Sequence, residues 1–300
     1  MVGSTYKTSW RREIITKDKI NNKPSLTGKT AILCGASTGI GKATAKEFVL
    51  LGANICIIAR RSDILNDAVE DLRKDLIHNS QFVESINCDA TNMEKLKPLI
   101  ESFIEKHGVP EYLINLVGYA LPDYIENYKF EDFKENMEIN YYGQLIPTLI
   151  ILPHYLKEKR GHIGFVSSVA GYFGVMGYSA YSPTKFAIVG LAETLRNELS
   201  PYNINISIIF PPDTQTPAFE RENIKKPKEC MIMSERGGLV QPEQVARPLI
   251  EGIIKKKFYI LIGKAKFLWR MKRLFPNLVN NISDKELKKA RKKLGKNYKY

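Results

Sequence analysis

Residues 30–41 read Thr-Ala-Ile-Leu-Cys-Gly-Ala-Ser-Thr-Gly-Ile-Gly. Five residues suited to a buried strand run into a turn with glycine at 35, 39 and 41. A stretch with helical apolar spacing, Gly41–Leu51, follows. Each glycine has its own physical task. Gly35 permits the tight turn, Gly39 lets a ligand approach the backbone, and Gly41 lets the helix pack close to the strand. Between them Ser37, Thr38 and Ile40 complete a loop whose helix start offers free N–H groups and partial positive charge, a cradle for a pyrophosphate.

The same alternation continues along the chain. Ile55–Ala59, Phe82–Cys88, Tyr112–Val117, His162–Val166 and Ile204–Phe210 read as strands, with helical patterns between them. Asp63–Leu76, for example, carries an apolar stripe at Leu65, Ala68, Val69, Leu72 and Leu76. Strands that alternate with helices predict parallel βαβ units in an open, doubly wound sheet of the Rossmann type. Such a sheet binds its ligand at the carboxyl ends of its strands. The spacing predicts one α/β catalytic domain over residues 27–263, preceded by a polar arm (1–26) and followed by a basic, amphipathic helical extension (264–300).

Composition bounds the rest. The 300 residues are 44% hydrophobic and 26% charged, ordinary for a folded domain. Residues 255–300 hold 16 Lys and Arg against 2 acidic residues, so the net +13 belongs to that segment and the remainder carries −1. Cys34, Cys56, Cys88 and Cys230 show neither CxxC spacing nor a nearby histidine cluster. They read as reduced core residues, which predicts no metal site and a cytoplasmic setting. No apolar run is long enough to span a bilayer.

The strand ending at Ala59 is followed by Arg60 and Arg61, with no carboxylate to repel a 2′-phosphate. Two guanidinium groups there favour NADP(H) over NAD(H). Asp89, after the third strand, is placed to meet the adenine. Tyr181 and Lys185 stand four apart in a helical stretch, hence on one face. A neighbouring ammonium would lower the phenol's pKa and make Tyr181 a general acid or base. Ser168, ending a strand, would donate to a carbonyl oxygen.

In combination these motifs resemble those of the short-chain dehydrogenase/reductase family over about residues 27–250. The glycine turn, Asp89, Asn115-Leu-Val-Gly118, Asn140, Ser168, Tyr181 and Lys185 match in order and spacing. The resemblance implies that Tyr181 is the proton donor, Lys185 anchors the nicotinamide ribose, Ser168 binds the carbonyl oxygen and Asn140 seats a water. It also implies cofactor contacts from Asn115, Gly118, Pro211, Asp213, Thr214 and Thr216, and a homo-oligomer. Three positions depart from the family pattern: Cys34, Val117 and Pro212. Val117 is expected to add volume near the cofactor.

The stretches Pro211–Phe219 and Ala180–Glu193, with Glu222 and Lys226-Pro227, resemble the branch that reduces 3-ketodihydrosphingosine, the ketone of a long-chain sphingoid base. Ile64 stands where that branch has lysine. A hydrophobic ketone is therefore the expected substrate. Another lipid, 3-ketoacyl or steroid substrate remains the alternative, and a non-catalytic dinucleotide-binding scaffold a distant third. In the extension, Phe267, Leu268, Met271, Leu274 and Phe275 share one helical face with basic residues mostly away from it, and Trp269 is expected at the boundary. That pattern suits peripheral contact with an anionic membrane on its cytosolic face. The terminal basic run from Lys285 to Lys299 lacks the interleaved aromatics of a nucleic-acid platform.

Overall fold

The computed structural model describes residues 25–235 and 237–295. The proposed arm up to residue 24, and the last five residues of the extension, lie outside them. From the glycine turn onward the chain runs β1 (Thr30–Cys34), α1 (Gly39–Leu50), β2 (Asn54–Ala59), α2 (Ser62–Arg73), β3 (Val83–Asn87), α3 (Met93–His107) and β4 (Tyr112–Asn115). Then come α4 (Phe130–Met137), a π-helical turn at Glu138–Tyr142, α5 (Gly143–Glu158), β5 (Gly161–Val166), α6 (Ser182–Leu199) and β6 (Ile204–Ile209). Two short helices follow, α7 (Pro217–Glu222) and α8 (Lys228–Ser234). The chain continues through α9 (Pro242–Ile254), β7 (Tyr259–Ile260), α10 (Gly263–Leu274) and α11 (Pro276–Lys293).

The described strands form one parallel sheet in the order β3-β2-β1-β4-β5-β6-β7. Period-two alternation explains its two covered faces. Ala31, Leu33, Ile55 and Ile57 pack on one side with α1, α2 and α9. Ile32, Cys34, Cys56 and Ile58 pack on the other with α3, α5 and α6. With both faces buried, the central strands β1 and β2 are apolar at nearly every position, as parallel strands between helical layers are, while the edge strand β3 exposes Glu84, Ser85 and Asn87 in part. Local signals set the helix limits. The Asn92 side chain caps α3 by accepting from Lys95 N at 3.0 Å, and Gly108, at φ +80°, ends it.

Sheet order reverses between β1 and β4, so a crevice opens at their carboxyl ends. The predicted strands are all present, several trimmed by one or two residues, and β7 is an addition. It has only two residues, too few for any periodic signal. Leu76 falls beyond the end of α2. The extension is helical but departs from the expected face. Trp269, half-buried, packs in a tilted arrangement on Tyr259 at 5.2 Å between ring centroids, with Arg273 over its ring. Ala265 is buried, and its carbonyl accepts from Tyr172 Oη at 3.0 Å. Phe267 and Leu274, each 69% exposed, stay outside.

Candidate functional site

The glycine turn is built around backbone proximity. A Cβ on Gly41 would lie 2.1 Å from Gly35 O, and one on Gly35, already at φ +82°, would lie 2.8 Å from Val117 N. Gly39 adopts φ +54°, and the methyl of Thr216 would be 2.9 Å from a Cβ placed there. No side chain caps the start of α1: Thr38, at the N-cap, makes no capping hydrogen bond. Its first N–H groups are therefore free to meet a phosphate. Close backbones, positive φ and an uncapped helix start fit a dinucleotide's pyrophosphate.

Beside it, Arg60 Nη1 donates to Asp89 Oδ2 at 3.3 Å, while Asp89 Oδ1 accepts from both the amide and the hydroxyl of Thr91 at 3.0 Å. Arg60 and Arg61 are both exposed at the end of β2, where a 2′-phosphate would lie. Lys95 lines the same hollow as Arg60 and Asp89. The sequence reading missed it because a lysine in a helix carries no signal until the helix is docked. Val117 stays beside the glycine turn, and its Cγ1 lies 2.9 Å from where a Gly143 Cβ would be, so a glycine of α5 makes room for its bulk.

At the other end of the crevice the catalytic candidates meet. Lys185, 3% exposed, places Nζ 5.5 Å from the ring centroid of Tyr181 and donates to Val166 O at 3.1 Å. Asn140 sits in the π-helical turn, a distortion often found at functional sites. Its Oδ1 accepts from Tyr119 N at 2.9 Å and its Nδ2 donates to Tyr119 O at 3.1 Å. A Cβ on Gly118 would lie 2.9 Å from Asn140 Oδ1 and 3.0 Å from Lys185 Nζ, so only glycine admits both groups there. Asn115 is fully buried and donates to Thr148 Oγ1 at 3.0 Å, which makes it a brace for α5.

Burial dominates the electrostatics of the Tyr181–Lys185 pair. Burial pushes the phenol above its ordinary value, the Glu222 carboxylate pushes it further, and only the hydrogen bond with Ser168 pulls it down. Burial lowers Lys185 itself to about 7. The pair is adjacent, and burial shifts both groups toward their neutral forms. The upward shift favours the protonated phenol, the form a proton donor needs.

The loop after β6 closes the crevice. Thr214 Oγ1 donates to Pro212 O at 2.8 Å, and Thr216 Oγ1 caps α7 by accepting from Phe219 N at 3.1 Å. Thr216 thus covers the glycine turn with its methyl group. Asp213 lies 3.9 Å from Lys226. Together with Tyr181, Ser168, Phe173, Pro211, Met233 and Leu268 the loop encloses a cleft of about 340 Å³. Leu268 comes from α10, and its part in the cleft was not legible from the extension's own pattern. The four cysteines are buried free thiols, and burial raises Cys230 to about 11.

Comparison with known proteins agrees with this geometry. A family model described as short chain dehydrogenase matches residues 29–227. The chain is 39% identical over 246 residues to a 3-dehydrosphinganine reductase from Danio rerio, covering 81% of this chain and 74% of the relative. It is 38% identical over 249 residues to a 3-ketodihydrosphingosine reductase from Dictyostelium discoideum, covering 78% and 75%. Among solved structures, a short-chain dehydrogenase/reductase from Burkholderia phymatum, in complex with NAD, shares the fold. Its TM-score is 0.73 at 23% identity, over 84% of this chain and 95% of that one.

Proposed function

Because the chain belongs to the short-chain dehydrogenase family, we propose that it reduces the 3-keto group of a long-chain sphingoid base to a secondary alcohol, with NADPH as reductant. Identity of 36–39% to four relatives named for that reaction supports the substrate. The observation that carries the chemistry is the meeting of Tyr181, Ser168 and Lys185 in the lining of a largely apolar cleft, beside an uncapped glycine-rich helix start.

A bound reduced dinucleotide supplies hydride. Ser168 donates to the carbonyl oxygen, polarising the carbon, and Tyr181 gives its proton to that oxygen as negative charge develops. Lys185 holds the ribose, and Asn140 keeps the neighbouring strand exit rigid. NADPH oxidation measured against 3-ketodihydrosphingosine, 3-ketoacyl thioesters and ketosteroids tests the assignment. A faster rate with either of the latter two classes would overturn it. Arg60 and Arg61 favour NADPH: the double alanine variant should lose NADPH affinity at least tenfold more than NADH affinity, since a guanidinium–phosphate pair is bidentate and charge-assisted.

The exposed apolar residues favour a second element of the reading. Phe267, Leu274, Phe275, Leu278 and Ile282 are exposed on α10 and α11 amid lysines and arginines. The chain acts as a homo-oligomer lying peripherally on the cytosolic face of an anionic membrane, drawing its waxy substrate from lipid. Co-sedimentation with phosphatidylserine vesicles should be lost in Phe267→Glu/Leu274→Glu, and sedimentation equilibrium should exceed a monomer mass. No helix among the described residues is long and apolar enough to cross a membrane.

A further inference from the structure

One wall of the cleft carries charges that carbonyl reduction does not use. Lys226 has a side chain only 1% exposed, and its Nζ lies 3.2 Å from Glu222 Oε1 and 3.9 Å from Asp213 Oδ2. The ammonium also sits 4.9 Å from the ring centroid of Phe219 and 5.6 Å from that of Tyr178. Tyr178 Oη donates to the same oxygen, Glu222 Oε1. Both donors therefore fall on Oε1, and among the described residues Oε2 receives no hydrogen bond.

In this cluster two carboxylates face one ammonium. The surplus is one negative charge, in a wall otherwise made of residues such as Val169, Phe173, Ala218 and Met233. Lys226 stands behind this wall, and Lys185, the lysine that lines the cleft among the described residues, is turned to Val166 O. Asp213 is partly open to solvent, but Glu222 is 15% exposed and burial raises its carboxyl above the ordinary value, a cost that a ligand of opposite charge would relieve. A 2-amino-3-ketone carries its ammonium one carbon from the carbonyl, so an amine subsite must lie within a few ångströms of the proton donor. Glu222 lines the same cleft as Tyr181. Its charge acts on Tyr181, and the ring of Tyr178, which holds Glu222, lies 5.8 Å from that of Tyr181.

We propose that Glu222, oriented by Tyr178 and Lys226 and joined by Asp213, is the subsite for the substrate's ammonium group and selects 2-amino ketones over ketones without the amine. The inference rests on the sphingoid reading above. It has a chemical corollary. An ammonium docked on Glu222 offsets the charge that helps hold Tyr181's proton, so the acid becomes easier to ionise when the correct substrate is in place.

The test compares initial rates of NADPH oxidation by the wild-type enzyme and Glu222→Gln. The substrates are 3-ketodihydrosphingosine and the ketone of equal chain length in which hydrogen replaces the amine. Wild-type kcat/KM should favour the amine by roughly thirtyfold, the worth of a hydrogen bond to a charged group, and the variant should bring that ratio to within about threefold of unity. Equal losses on both ketones, with the ratio kept, would mean that Glu222 only shapes the cleft, and the proposal falls. A wild-type enzyme that reduces both ketones equally well removes the subsite while leaving the reductase reading intact. One that reduces neither ends both. Should the variant fail to fold, inhibition of the wild-type enzyme by a long-chain primary amine and by the alcohol of equal length decides. At least tenfold stronger inhibition by the amine is expected, and equal inhibition overturns the proposal.

Discussion

Tyr181 and Lys185 illustrate what spacing can and cannot establish about single residues. Four positions in a helix put them on one face, and the structure places the ammonium 5.5 Å from the phenol ring. Their proton affinities follow from burial, which spacing does not report. Lys185, lowered to about 7 from 10.5, leads to a stability prediction. Between those two pH values the unfolded chain binds a proton that the folded chain does not, so folded stability rises with pH across that window. Lys185→Met should therefore unfold at a higher temperature than wild type at pH 7, in the absence of dinucleotide. The advantage should shrink as pH approaches 10.5, as read by calorimetry. Tyr181→Phe should bind dinucleotide normally, by fluorescence titration, and lose turnover by roughly 10²–10⁴-fold. Retained turnover would remove Tyr181 from the acid role.

At the level of elements, the glycine turn was legible because its requirement is local. The tightest contact it makes, Gly41 against Gly35 O, lies within seven residues of sequence. Gly41→Ala forces a Cβ to 2.1 Å from that carbonyl, so α1 must move off β1. The expected cost is about 1–3 kcal/mol of stability, visible in urea unfolding, with a weakened Kd for dinucleotide. The loop after β6 was legible only as a resemblance. That Thr216 spends its hydroxyl on capping α7 and lays its methyl over Gly39 depends on two segments about 180 residues apart meeting. Lys95 and Leu268 escaped notice for the same reason.

On the scale of the molecule, the sheet order puts both ends of the site in one crevice, and the extension helps to close it. Leu268 lines the cleft, Trp269 packs on Tyr259 of the edge strand β7, and α11 rests on α8, the helix that carries Cys230. A chain ending at Ile262 should lose several degrees of thermal stability, and its KM for a long-chain ketone should rise more than kcat falls. An unchanged KM would show that α10 and α11 contribute nothing to the cleft. The basic charge of the segment was read correctly from composition. How its apolar face divides was not, because one helical stripe can face the body and the solvent at once when the helix lies across an edge.

Fold class was determined by sequence alone, and the sequence also picked out the glycine turn and the neighbouring Ser168, Tyr181 and Lys185, since each rests on periodicity, on short spacing or on a family motif. Tertiary structure alone decided that burial raises the Tyr181 phenol and lowers Lys185, and that Glu222, Lys226 and Tyr178 meet in one cluster. The physical reason is that solvation and Coulomb interaction depend on distance through space and on the exclusion of water. Neither exists until remote segments have packed together.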